Sequence, residues 1–256
     1  MHIRAYAVSA QAVAGPSTPT ISIEVGGAPA DIPDPLDEDA IVIAALLGGA
    51  TIQFATGTDT GTGQVQLYRS TTSSLDRETD AVGAPLPTAP VGTYGFEIGD
   101  TTRQTLIAGG DMSDAGDWSA DASWSVASGV AAHSPGTAAA IGQPLSAVSG
   151  KWYRIAFSVT GRTAGSVTPR LTGGSIRPGA AVSADGDHSD RIQAVTGNDT
   201  IEFLASSDFD GAIDDIVVYL ETAACLDQGS HFVWLEPQSE AGLPGDTSGP
   251  FEIIIQ

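Results

Sequence analysis

The sequence predicts an all-β protein built from two sandwiches, and three observations carry that prediction. Short runs alternate apolar and polar residues with the strand period, as in QVQLYRS (64–70) and KWYRIAFSV (151–159). Glycine (31 residues) and proline (15) punctuate those runs at turn spacing. No amphipathic helix of useful length occurs anywhere in the 256 residues.

The elements follow in chain order. HIRAYAVSAQAVAGPSTPTISIEV (2–25) reads as one hairpin around a Gly-Pro turn, too small to fold alone. GGAPADIPDPLDED (26–39) reads as a linker. AIVIAALL and TIQFA are two strands broken by GGA, and QVQLYRS and GTYGFEI add two more, with Val65, Leu67 and Arg69 on one face of the former. From residue 106 onward, roughly eight to ten short strands are expected, among them WSVASG, TAAAIGQPL, KWYRIAFSVTG, GSVTPRLTG, RIQAVTG, DTIEFLAS and GAIDDIVVYLE. In KWYRIAFSV, Tyr153, Ile155, Phe157 and Val159 form the expected core face, opposite Trp152, Arg154, Ala156 and Ser158. The closing GSHFVWLEPQSEAGLPGDTSGPFEIIIQ does not start a new unit; it completes the sandwich that residues 33–105 began. The first hairpin resembles this last one, which makes residues 1–32 the end of a preceding unit, a hairpin that adds strands to a neighbour's sheet edge, or an extra hairpin packed on its own chain.

Composition narrows the function. Ten basic residues against thirty-one acidic ones give a net charge of −21. Phosphate neutralisation needs basic density, so a nucleic-acid partner is not expected, and an anionic membrane surface is disfavoured for the same reason. The longest apolar run, AIVIAALL, is too short to span a bilayer. Cys225 is the single cysteine, so no intrachain disulfide forms. MHIRAYAVSAQAVAG lacks a basic start followed by a long apolar stretch, so no secretion leader is expected.

Catalytic constellations are missing from the sequence. The four histidines (His2, His133, His188, His231) make no metal-ligand spacing, and there is no nucleophile elbow, phosphate loop or CxxC. Asp214-Asp215 is a carboxylate pair of a kind that an acidic chain produces by chance. A non-enzymatic role is therefore expected.

Two families are resembled. Residues 33–105 with 225–256 are similar to a fibronectin type III sandwich, on QVQLYRS and GSHFVWLEPQSEAG…SGPFEIII. Residues 106–224 resemble carbohydrate-binding jelly rolls, on GGDMSDAGDWS, GKWYRIAFSVTG and FDGAIDDIVVY. Together they look like tail-fibre and tail-tip proteins of tailed phages and gene-transfer particles. The resemblance implies a jelly roll inserted in a surface loop of its host, with its first and last strands adjacent. It further implies a virion location, other tail or baseplate proteins as partners, a host cell-surface glycan as target, and a trimeric or sixfold assembly.

Candidate site residues follow. Trp118, Trp124 and Trp152 are either core residues or platforms on which a sugar ring stacks, and Arg154 and Arg170 are candidate donors to hydroxyls or acidic sugars. Asp111, Asp114 and Asp215 are the positions at which the jelly-roll resemblance implies a structural Ca²⁺; the alternative is turn-capping aspartates. Trp234 and Tyr68 are expected in the host core. Two other roles stand beside glycan attachment: a structural spacer that touches only other tail proteins, and a secreted surface adhesin.

Overall fold

The computed structural model describes residues 2–3, 21–22 and 32–256. The expected N-terminal hairpin lies outside them except for one antiparallel pairing, of β1 (His2–Ile3) with β2 (Ile21–Ser22). The chain is all-β: among the described residues the helical elements are two single 3-10 turns, Glu38–Ala40 and Ala115–Asp117.

The outer sandwich has seven strands. β3 (Val42–Leu46), β4 (Gly49–Ala55) and β7 (Thr93–Gly99) form one sheet. β5 (Gln64–Ser70), β6 (Leu86–Pro87), β18 (Gly229–Gln238) and β19 (Ser248–Ile255) form the other, in the order β19-β18-β5-β6. Ile52, Phe54, Val65, Leu67, Ile98, Val233, Leu235 and Ile253 fill the space between them. The β3–β4 turn needs Gly48, whose φ is +77° and whose missing Cβ would stand 2.7 Å from the Cys225 sulfur.

Tyr68 and Trp234 are buried, but not in that core. Alternation along β5 and β18 sends Val65, Leu67, Val233 and Leu235 inward and turns Tyr68 and Trp234 to the other face. There the Tyr68 hydroxyl donates to the buried Glu236 (3.0 Å), which also pairs with Arg77.

After β7 the chain builds the inner sandwich and then returns for β18 and β19. Ten strands make it: β8 (Ser119–Ala120), β9 (Trp124–Ala127), β10 (Val130–His133), β11 (Ala139–Pro144), β12 (Trp152–Ala164), β13 (Val167–Thr172), β14 (Arg177–Pro178), β15 (Gly186–Gln193), β16 (Thr200–Ala205) and β17 (Asp210–Leu220). They form two five-stranded antiparallel sheets, β15-β12-β17-β10-β9 and β14-β13-β16-β11-β8. WSVASG continues into a hairpin, because Ser128 and Gly129 both take positive φ (56° and 79°) and turn β9 into β10. RIQAVTG contributes only the end of β15, which starts in the polar GDHSD. Tyr153, Ile155, Phe157 and Val159 all enter the core, as the alternation of KWYRIAFSV predicts.

The two ends of the inner sandwich lie side by side. Leu106 N–H donates to Val218 O (2.7 Å) and Ile216 N–H to Gly110 O (2.8 Å), so the entering segment runs along the departing β17. The outward face of β12 and β17 is closed as well. Arg154 sits opposite Tyr219, and both are buried. Tyr219 donates to the backbone oxygen of Gln256 (3.0 Å), beyond β19. Arg154 pairs with Glu221 (3.0 Å) and reaches Gln228 (3.3 Å). Leu226 N–H donates to Gly48 O (2.9 Å), and Thr222 donates to Asp100 (2.7 Å). The inner sandwich is thus seated on the outer one through one face of one sheet.

Glu221 and the two buried tyrosines each set a measurable outcome. Glu221→Ala leaves the Arg154 guanidinium buried without its carboxylate, which costs about 3 kcal/mol; urea unfolding of the variant shows a lower midpoint. Burial pushes the Tyr219 hydroxyl up to about 12, and burial followed by the bond to Glu236 does the same for Tyr68. Both folded values lie above the free phenol value near 10. The stability they hold is complete below pH about 10 and is lost as pH rises from there through about 12. In a phenolate absorbance titration, Tyr68 and Tyr219 ionise together with alkaline unfolding.

Candidate functional site

The five candidate sugar contacts do not come together. Trp118 and Trp124 are core residues, each 6% exposed. Their spacing of six does not reflect one strand: Trp118 caps the Ala115–Asp117 turn and Trp124 opens β9. Trp118 donates its indole N–H to Gly109 O (2.8 Å) and meets Phe203 edge-on; Trp124 donates to Ala139 O (3.1 Å) beside His133 and Phe209. Neither offers a ring face to a ligand.

Arg154 is likewise no ligand donor, because the seat on the outer sandwich consumes it. Trp152, at the start of β12, is 36% exposed, but the Arg191 guanidinium lies 4.4 Å from its ring centroid. Arg191 in turn pairs with Glu221. Trp152 therefore borders the junction and is covered on one side by a cation.

Arg170 stands apart from the other four and marks a groove. It lies on β13, in the sheet opposite the one that carries Arg154 and Tyr219. Cross-strand register sets Pro178, Arg170, Glu202, Gly142 and Ser119 in one row across β14, β13, β16, β11 and β8. The alternating residues Leu171, Ile201, Phe203 and Ile141 enter the core, so this row faces outward. Arg170 Nε (2.8 Å) and a terminal nitrogen (2.7 Å) both reach the same oxygen of Glu202, with each side chain about a fifth exposed. Gly142 leaves the floor open: a Cβ there would stand 2.5 Å from Ile201 O and 2.7 Å from Glu202 Cγ. The resulting cleft, about 450 Å³, is walled further by Asp121, Pro144 and Thr200. One Asp121 oxygen accepts from Ala140 N–H (2.8 Å).

The sequence reading missed Glu202, Asp121, Ser119 and Gly142. The alternation of DTIEFLAS does turn Glu202 outward. The register that sets it beside Arg170 and Gly142 is a property of pairing between strands and leaves no local signal.

The implied calcium ligands are not assembled. Asp111 accepts from the Ser113 N–H (3.2 Å) and hydroxyl (2.8 Å), and Asp114 caps its 3-10 turn by accepting from Gly116 N–H (2.8 Å). Both carboxylates are folded back on their own turns. Asp215 is the extra residue of a β-bulge in β17, with φ +50°. Asp111 and Asp215 do line one cleft of about 480 Å³, with Asp187, but Asp114 does not. Among the described residues no three His, Cys, Asp or Glu side chains are grouped to hold a metal. Desolvation, opposed by the Asp215 N–H and aided by the charges of Asp215 and Asp111, raises the Asp214 carboxyl above its usual range.

No protein-family model matches this chain, and no curated protein does. Among solved structures, one from a study of the promiscuous specificity of carbohydrate-binding modules of the β-sandwich superfamily is similar over 76% of this chain and 94% of its own. The identity is 8% and the TM-score 0.28. A likeness this slight carries no statement about ligand or activity.

The positions of the tryptophans set a testable contrast. Trp118→Ala and Trp124→Ala each cost about 3–5 kcal/mol through the cavity they leave. Trp152→Ala removes an exposed cation–π contact and costs under about 1 kcal/mol. Thermal or denaturant melts of the three variants measure the difference.

Proposed function

We propose that this chain is a non-catalytic attachment module in which the inner sandwich binds glycan and the outer sandwich holds it in a fixed pose. One observation carries the reading. The inner sandwich is seated by the outward face of its β12–β17 sheet, and the polar groove lies on its other sheet, turned away from the mount. A groove of this size, lined by Arg170, Glu202, Asp121, Ser119 and Thr200, suits hydroxyl-rich ligands, which need paired donors and acceptors at close spacing. It has no aromatic platform, so each contact is weak, and useful attachment requires many copies on one particle.

The resemblance of GGDMSDAGDWS, GKWYRIAFSVTG and FDGAIDDIVVY to carbohydrate-binding jelly rolls supports the same reading. It also supports the setting we propose: the tail of a phage-like particle, with other tail proteins as neighbours and the bacterial surface as target. A second reading, a spacer contacting only tail proteins, is favoured by the bare, ring-free groove floor at Gly142.

Adsorption of the labelled chain to host cells, before and after removal of surface polysaccharide, tests the proposal. Binding that disappears with the polysaccharide and falls about tenfold in Arg170→Ala, which removes a groove donor and leaves Glu202 without its partner, is the expected result. Adsorption unchanged by Arg170→Ala assigns the groove to the spacer reading.

A further inference from the structure

We infer that the groove selects neutral, hydroxyl-rich saccharides and rejects anionic ones, an inference that rests on the glycan reading above. Among the groove residues, Arg170 is the one cation and Asp121 and Glu202 are the carboxylates. The Arg170 charge is already matched: two of its nitrogens lie on the same Glu202 oxygen, at 2.8 and 2.7 Å. The other Glu202 oxygen has no protein partner among the described residues. Asp121 is in the same state, with one oxygen on Ala140 N–H and the other open. The groove thus presents two unoccupied carboxylate oxygens, which accept hydrogen bonds from hydroxyl groups and repel a uronate, sulfate or phosphate.

The other cations of the inner sandwich, Lys151 among them, lie outside the groove. Arg154 and Arg191 share Glu221, and the side chains of Arg162 and Arg177 donate to the backbone oxygens of Gly165 and Gln193. The arginines that the sequence offers as donors to acidic sugars are therefore committed to the protein. A carboxylate placed about 4 Å from a groove carboxylate meets a repulsion of about 1 kcal/mol even at the dielectric of water, and more in a partly desolvated cleft.

Glu202 is the residue on which selectivity turns. Glu202→Gln removes one groove carboxylate and releases Arg170, reversing the local charge from −1 to +1 if Asp121 is also changed to Asn. The overall net charge moves only from −21 to −19 in that double variant, so a switch in preference reports the groove and not the bulk charge.

Native affinity electrophoresis of the full chain tests this in gels containing dextran, galactomannan or hydroxyethylcellulose, against gels containing alginate or polygalacturonate. The expected result is retardation of the wild type by at least one neutral polymer and by neither anionic one. Glu202→Gln with Asp121→Asn gains retardation by the anionic polymers of about fivefold or more. A melt of each variant checks its fold; Asp121→Asn alone, at an exposed position, serves if the double variant is unfolded. Retardation of the wild type by alginate or polygalacturonate, abolished by salt, overturns the selectivity but keeps the glycan reading. A folded variant whose preference does not change also overturns it. No retardation by any polymer overturns the glycan reading itself.

Discussion

Glu221 fixes how the two sandwiches sit. It stands just past the end of β17, where the chain leaves the inner sandwich, and it holds both Arg154 and Arg191. Arg154, on the outward face of β12, is buried, so its charge must be matched on the spot; an unmatched guanidinium there would be far more costly than an exposed one. The match is made by the connecting segment itself. Gln228 completes it from the far end of the same connection, on the way into β18. Seating therefore depends on the path between residues 221 and 228, and the orientation of the groove follows from the seating.

The same ion pairs shape the electrostatics of the groove. An acidic chain with few basic residues has little cationic surface to spare. Here the arginines of the inner sandwich are used to hold its own edges, backbone turns and junction. The groove inherits what is left: carboxylate oxygens, hydroxyls and a neutralised guanidinium. The selectivity proposed for the groove is in this sense a by-product of how the sandwich is fastened.

The all-β class was legible because strand alternation and turn residues are local signals. Tyr153, Ile155, Phe157 and Val159 illustrate this: their period alone assigns them to the core. The opposite face of the same strand shows where local reading ends. Nothing in KWYRIAFSV says that Arg154 will be covered, because the groups that hold it, Glu221 and Gln228, come from the segment after β17. β15 was misread at its start for a related reason. It is an edge strand, so GDHSD needs no apolar side to stay in the sheet. Trp118 and Trp124 were ambiguous because a tryptophan suits a core and a sugar platform equally well. Their indole N–H bonds to Gly109 and Ala139 decide for the core, and those partners are set by turns and not by a strand period.

The groove was illegible in one further respect. Its row of Arg170, Glu202, Gly142 and Ser119 draws on four strands spread over residues 119–202, and each residue taken singly is ordinary. Gly142 in sequence is one of 31 glycines. In the sheet it is the position where a side chain would strike the Ile201 carbonyl and the Glu202 stem, so its absence of bulk permits the Arg170–Glu202 pair to lie flat and leaves a trough beside it. A binding face of this kind is a product of register. Shifting β16 by one residue against β11 would turn Glu202 into the core and Phe203 into the groove. The core packing of Ile201 and Phe203 is therefore what holds the polar row in place: the hydrophobic side of β16 determines the chemistry of its exposed side.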